Sequence, residues 1–218
     1  METVLVEPRL SEMPKVVATL EVLMRDFPKG EEYAVVFDID DTLVREDSKP
    51  LPEVVALLKQ FAASKYVIGL VTARHESMRE YTIKELANVG ITYSLYKGEH
   101  LMFCPQQFRS SFTEISRWKR SARYYLKVNS KRKLLCTVGD QWTDLITIES
   151  DKERSMLDDA YGPSTLRLMR LNDGLCIFGI KLPTEESPEM ETSHIVHESQ
   201  EGSGQSFVTM AGGVLVLH

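Results

Sequence analysis

The sequence predicts an α/β fold with a mostly parallel central sheet covered by helices on both faces. Short apolar runs that do not alternate, such as "YAVVFDI" and "KLLCTV", read as strands buried on both sides. Stretches with apolar residues at three- and four-residue spacing separate them, so strand and helix alternate along the chain.

The elements follow in order. Met13, Val16, Val17, Leu20, Leu23, Met24 and Phe27 predict an amphipathic helix between Ser11 and Pro28, ended by "FPKG". "YAVVFDI" is the first strand, "LPEVVALLKQFAAS" a helix with proline in its first turn, and "KYVIGLVT" the second strand. "HESMREYTIKELANVG" is a helix closed by Gly90, and "ITYSLY" a third strand. "EISRWKRSARYYLKVN" and "KLLCTV" form the next helix and strand. Beyond residue 145 the pattern blurs, apart from a strand pair around the turn "NDG", with "TLRLMRL" before it and "LCIFGIKL" after. Residues 1–12 read as an N-terminal extension and 13–183 as the domain. Residues 184–218, acidic and rich in Ser, Glu and Pro, read as a disordered tail.

Composition bounds the function. The chain has 218 residues, 43% hydrophobic and 27% charged, as in soluble globular domains. Its net charge of -6 predicts no bulk attraction to nucleic acid or anionic membrane. Neither a signal peptide nor a bilayer-length apolar run is seen, which predicts a cytoplasmic protein. Cys104, Cys136 and Cys176 lie far apart and read as small buried hydrophobes rather than a disulfide framework.

In open parallel sheets chemistry gathers where strands end. The first strand ends in Asp38, Asp40 and Thr42, the second in Thr72, and the fourth in Gly139, Asp140 and Asp144, while the preceding helix begins near Lys119. A helix over 52–64 descends roughly 20 Å and a strand over 66–71 climbs roughly the same, returning Thr72 to the edge that Asp38 left. The same reckoning brings Lys119 and Asp140 to that rim. Three carboxylates gathered there repel by roughly 4 kcal/mol per pair at an effective dielectric near 20, unless a cation sits among them. Hard oxygen donors with room for water and phosphate select Mg²⁺. With a lysine and a threonine hydroxyl added, the mouth suits a phosphoryl group.

"VVFDIDDTLV", "LVTAR", the lysine of "RWKRSAR" and "VGDQWTDL" resemble, in order, the four motifs of the haloacid dehalogenase (HAD) superfamily. Wording and spacing are most similar to its acid phosphatase group, of the plant acid phosphatase and class B type, in which a "GDQW.D" loop follows a "K...R" helix. The resemblance covers about residues 13–183. It implies a Rossmann-like three-layer sandwich and a Mg²⁺-dependent phosphomonoesterase working through an aspartyl-phosphate. On that resemblance Asp38 is the nucleophile and Asp40 carries the proton. Thr72 and Lys119 bind phosphate; Asp38, the main-chain carbonyl of Asp40 and Asp140 ligate Mg²⁺; and Asp144 supports the metal or its water.

Thr42 is expected to orient the loop, and Arg74 to reach substrate or Asp144 or to form a surface salt bridge. Lys97, Lys127, Lys131 and Lys133 compete with Lys119, which its helix context favours. His75 is a weaker candidate for a proton carrier. About thirty residues separate Thr42 from Thr72, too few for a large cap domain, so the site is expected to be open. It would accept phosphorylated small molecules or bulkier phosphoesters, with a homo-oligomer as one way to close over small ones. Between Arg117 and Lys133 lie eight basic residues and no acidic ones, which keeps a polynucleotide-end phosphatase as the alternative, although a nucleic-acid partner is not the expectation. A catalytically silent storage or scaffold relative is the other alternative. A signalling receiver is disfavoured, because its phosphorylated aspartate would end the third strand.

Overall fold

The computed structural model describes residues 1–24 and 32–184, and the backbone of two later strands. Met1–Thr184 forms one compact unit. It contains β1 (Glu2–Glu7), α1 (Met13–Leu23), β2 (Tyr33–Phe37), α2 (Pro52–Ala63), β3 (Val67–Thr72), α3 (Arg79–Asn88), β4 (Leu101–Phe103) and α4 (Phe112–Ser130). β5 (Lys133–Gly139), α5 (Trp142–Leu145), α6 (Asp151–Tyr161), β6 (Leu166–Arg170) and β7 (Cys176–Lys181) complete it. In the second unit, β8 (Phe207–Met210) pairs antiparallel with β9 (Gly213–Val216). The "FPKG" helix end and residues 185–206 of the expected tail lie outside the described residues.

Seven strands form one sheet in the order β1-β6-β7-β5-β2-β3-β4. β7, β5, β2, β3 and β4 run parallel, and β6 and then β1 add antiparallel pairs at one edge. The central strand explains the non-alternating apolar run. Val35 and Phe37 of β2 pack in one cluster with Met13, Val16 and Leu20 of α1 and Val54 and Leu58 of α2. Ala34 and Val36 pack in another with Trp118, Ala122 and Leu126 of α4 and Leu145 of α5. Every residue of β2 is buried, as a strand between two helical layers must be.

The structure differs from the sequence reading in four places. The third parallel strand is Leu101–Phe103; "ITYSLY" forms turns after Gly90, which closes the preceding helix at φ +78. Its β-branched and aromatic residues gave it a strand's composition, while a three-residue strand leaves no periodic trace. Six residues of the expected N-terminal extension form β1, an edge strand whose partial burial gives a weak pattern. α6 buries no residue fully, so its apolar spacing is faint, although Ser150 caps it by accepting from the Glu153 amide at 3.2 Å. α4 begins at Phe112, where Ser111 accepts from the Glu114 amide at 3.2 Å, so Lys119 stands two turns inside the helix and reaches the rim by its long side chain.

The "NDG" strand pair forms as read: Asp173 Oδ1 accepts from the amides of Leu175 and Cys176 at 2.9 and 3.1 Å, and Gly174 takes φ +71. All three cysteines are buried and unbridged. The connections 38–51 and 104–111, which flank the rim, are loops without an inserted domain. No helix among the described residues is long and apolar enough to cross a membrane.

Candidate active site

The site forms where β2, β3 and β5 end. The Asp38 amide donates to Val138 O at 3.0 Å, extending the β2–β5 pairing one residue past β2 and fixing where its side chain emerges. Lys119, buried within α4, donates to Asp38 Oδ1 at 2.8 Å and also to Asp144 Oδ1. Asp38, Asp140 and Asp144 are all buried, and each offers a carboxylate oxygen within 4.8 Å of the other two. The juxtaposition of Asp38, Lys119 and Asp140 expected from strand and helix lengths is present.

The short helix α5, which follows the loop after β5, is held from below. Arg123, one turn beyond Lys119, donates from NH1 to the carbonyls of Thr143 and Asp144 at 3.0 and 2.8 Å, and Thr137 Oγ1 donates to Asp144 O at 2.6 Å. This gives the "K...R" spacing a physical meaning: the lysine faces the carboxylates and the arginine anchors α5, which carries Asp144 and follows directly on the loop with Asp140. A Cβ on Gly139 would stand 2.2 Å from Asp144 Cβ, so the close approach requires glycine. Thr42 Oγ1 accepts from the Asp140 amide at 3.2 Å and lies 3.5 Å from Asp140 Oδ1, bracing the β2 loop against the β5 loop. Asp144 Oδ2 also accepts from the Gln141 amide at 2.9 Å, so this residue caps α5 as well as facing the cluster.

Asp40 faces elsewhere. Its side chain is half exposed and receives a fork from Arg74, with Nε at 2.9 Å and NH2 at 2.6 Å from Oδ1, while Thr72 Oγ1 donates to Oδ2 at 3.2 Å. Arg74 is 9% exposed, so it is neither a surface salt bridge nor a partner of Asp144. Its NH1 turns inward to Thr82 at 3.0 Å and Glu85 at 2.5 Å. Neither Thr82 nor Glu85 stood out in the sequence, because nothing in a helical "YTIKEL" marks a partner for an arginine several residues earlier. His75 accepts from the Ser77 amide at 3.2 Å as the cap of a short turn. Of the eight basic residues between 117 and 133, Lys119 and Arg123 are buried inward, and Arg117 pairs with Glu114 and Glu149.

Electrostatics follow from the packing. Burial, with Asp144 beside it, pushes the Asp38 carboxyl well above the ordinary range against the pull of Lys119. Burial and then Asp144 push Asp140 up to about 6. Burial opposes the Lys119 charge, but Asp144 and Asp38 outweigh it and hold the ammonium above its ordinary value. At these separations each carboxylate pair costs about 4 kcal/mol at an effective dielectric near 20. Lys119 is the one cation in contact with them among the described residues. An all-oxygen set carrying excess negative charge fits a hard divalent cation.

A family model described as HAD superfamily, subfamily IIIB (acid phosphatase) matches residues 44–164. That span holds Thr72, Lys119, Asp140 and Asp144, and begins just after the Asp38–Asp40 pair. Among solved structures, the class C acid phosphatase from Bacillus anthracis superposes with a TM-score of 0.55 at 16% identity, over 81% of this chain and 76% of that one. This likeness is one of fold. A comparison with curated proteins finds no match. The family match spans more than half of the sequence, and the chain belongs to the acid phosphatases of HAD superfamily subfamily IIIB.

Proposed function

We propose that this phosphatase hydrolyses phosphomonoesters through an aspartyl-phosphate on Asp38, with Mg²⁺ as its cofactor. The observation that carries the reading is the buried Asp38 carboxylate, held by Lys119 and within 4.8 Å of ligand atoms of Asp140 and Asp144. As Asp38 attacks phosphorus, the ester P–O bond breaks and the alcohol leaves with a proton from Asp40. Asp40 then takes a proton from the water that attacks the aspartyl-phosphate, releasing phosphate and restoring Asp38. Thr72 and Lys119 donate to the phosphoryl oxygens. Asp38, the main-chain carbonyl of Asp40 and Asp140 would hold the metal, with Asp144 in support. Once bound, Mg²⁺ supplies positive charge that lets the carboxylates coexist and polarises the phosphoryl group.

The absence of an inserted domain at 38–51 and 104–111 supports a mouth open to phosphorylated small molecules and bulkier phosphoesters. The test is p-nitrophenyl phosphate turnover with Mg²⁺ and with a chelator, alongside acid-quenched protein probed for a hydroxylamine-labile phosphoryl group. Asp38→Asn is expected to abolish turnover and labelling while still melting cooperatively as a folded protein. Undiminished turnover in that variant would reassign the nucleophile. A wild type that hydrolyses no phosphoester with Mg²⁺ present would leave a silent storage or scaffold relative.

A further inference from the structure

Glu85 has no role in the chemistry above, yet two supports of Asp40 meet on it. It lies on α3 and is 6% exposed. Its Oε2 accepts from Arg74 NH1 at 2.5 Å, and the opposite edge of the same guanidinium grips Asp40. Its Oε1 accepts from Ser48 Oγ at 2.5 Å and from Tyr81 OH at 3.2 Å. Ser48 belongs to the loop that leads on from Asp40. There Asp40 bridges to Val44, Val44 bridges to Pro50, and the Arg45 amide donates to Lys49 O at 2.9 Å. Ser48 itself stands at φ +59, a left-handed conformation that serine adopts infrequently. Its hydrogen bond to Glu85 gives a reason for a side chain at a position where glycine would be unstrained.

We propose that Glu85 is a positioning residue for Asp40, holding its side chain through Arg74 and its loop through Ser48. The inference rests on the reading of Asp40 as the proton carrier. A guanidinium is planar and rigid, so fixing its inner edge on Glu85 and Thr82 fixes the direction of the outer edge as well. Arg74 is buried, and without Glu85 its NH1 would face Thr82 Oγ1 alone and a charged donor would lose its charged acceptor. The arginine would then be free to turn and carry the Asp40 carboxylate with it. Proton transfer tolerates little of this, since a displacement of about 1 Å costs on the order of 10²-fold in rate.

Leaving-group dependence is a readout that a merely structural role would not move. The acidic phenol of p-nitrophenyl phosphate departs with little help, whereas the alcohol of glycerol 2-phosphate needs a proton as its bond breaks. Both esters are assayed with Mg²⁺ in wild type, Glu85→Ala, Glu85→Gln and Ser48→Gly, with Asp40→Asn marking complete loss of the proton carrier. In Glu85→Ala, kcat/KM, which reports the step in which the ester bond breaks rather than the dephosphorylation common to both esters, is expected to fall at least about tenfold further for glycerol 2-phosphate than for p-nitrophenyl phosphate. Glu85→Gln, which still offers Arg74 an oxygen, should recover most of the difference, and Ser48→Gly should lose part of it without backbone strain. Equal losses on both esters, or no loss on either, would overturn the inference while leaving the phosphatase reading intact. If Glu85→Ala does not fold, an unchanged ester ratio in Ser48→Gly is the refuting result. A wild type inactive on both esters, by contrast, would sink the phosphatase reading itself.

Discussion

Neutralising one member of the carboxylate cluster should make the metal-free protein progressively more stable, relative to the wild type, as pH rises. Asp140 is buried and its carboxyl is pushed from 3.8 up to about 6, chiefly by burial and then by Asp144. The folded protein therefore binds this proton more tightly than the unfolded chain does. The favourable contribution is fully present below the unfolded value and is lost as pH rises through about 6. The whole rise is worth about 3 kcal/mol, of which about 2 kcal/mol falls between about pH 4.5 and 7.5. Asp140→Asn removes this dependence. It also weakens the acceptor for Gln141 Nε2, which lies 2.6 Å from Asp140 Oδ2; that bond favours the charged carboxyl, and its pull is already contained in the net rise to about 6. The quantity to read is thus the change in the stability gap between variant and wild type.

Thermal melts of chelator-treated protein should show that gap moving in the variant's favour by about 2 kcal/mol, or about 4–8 °C for a chain of this size. His100, whose value burial lowers, has the opposite pH dependence but is common to both proteins and cancels. Adding Mg²⁺ at about pH 7.5 should raise the melting temperature of the wild type more than that of the variant. A gap that stays constant, or that moves in favour of the wild type as pH rises, would refute the account of a charge-crowded cluster awaiting a cation.

Two further substitutions probe the same packing. Lys119→Met keeps bulk but leaves Asp38 and Asp144 without their shared ammonium; urea melts of metal-free protein near neutral pH should show a loss of about 3–5 kcal/mol, shrinking as pH falls and the carboxyls protonate. Gly139→Ala places a methyl where Asp144 Cβ lies 2.2 Å away, so the loop must shift; stability should drop by about 1–3 kcal/mol and calorimetric Mg²⁺ affinity should fall with it.

The rim was legible because polar residues interrupt apolar runs at fixed places. Asp38, Thr72 and Asp140 each follow a run that had to be a buried strand, and helix and strand lengths return those ends to a common edge. Elements that rest on weak patterns were harder to read. β4 is three residues long, β1 is a half-buried edge, and α6 buries nothing completely. Arg123 is explained only by the carbonyls beneath it, which lie 20 and 21 residues further along the chain.

The sequence by itself determined the α/β alternation, the strand ends and the residue types gathered at them, because burial on two faces and the rise per residue of helix and strand are local properties. Only the tertiary structure decided how those groups divide. It set Asp38, Asp140 and Asp144 around Lys119 and turned Asp40 away onto Arg74, with Glu85 behind. Such pairings depend on side-chain directions across segments separated by tens of residues, and a chain read one stretch at a time carries no record of them.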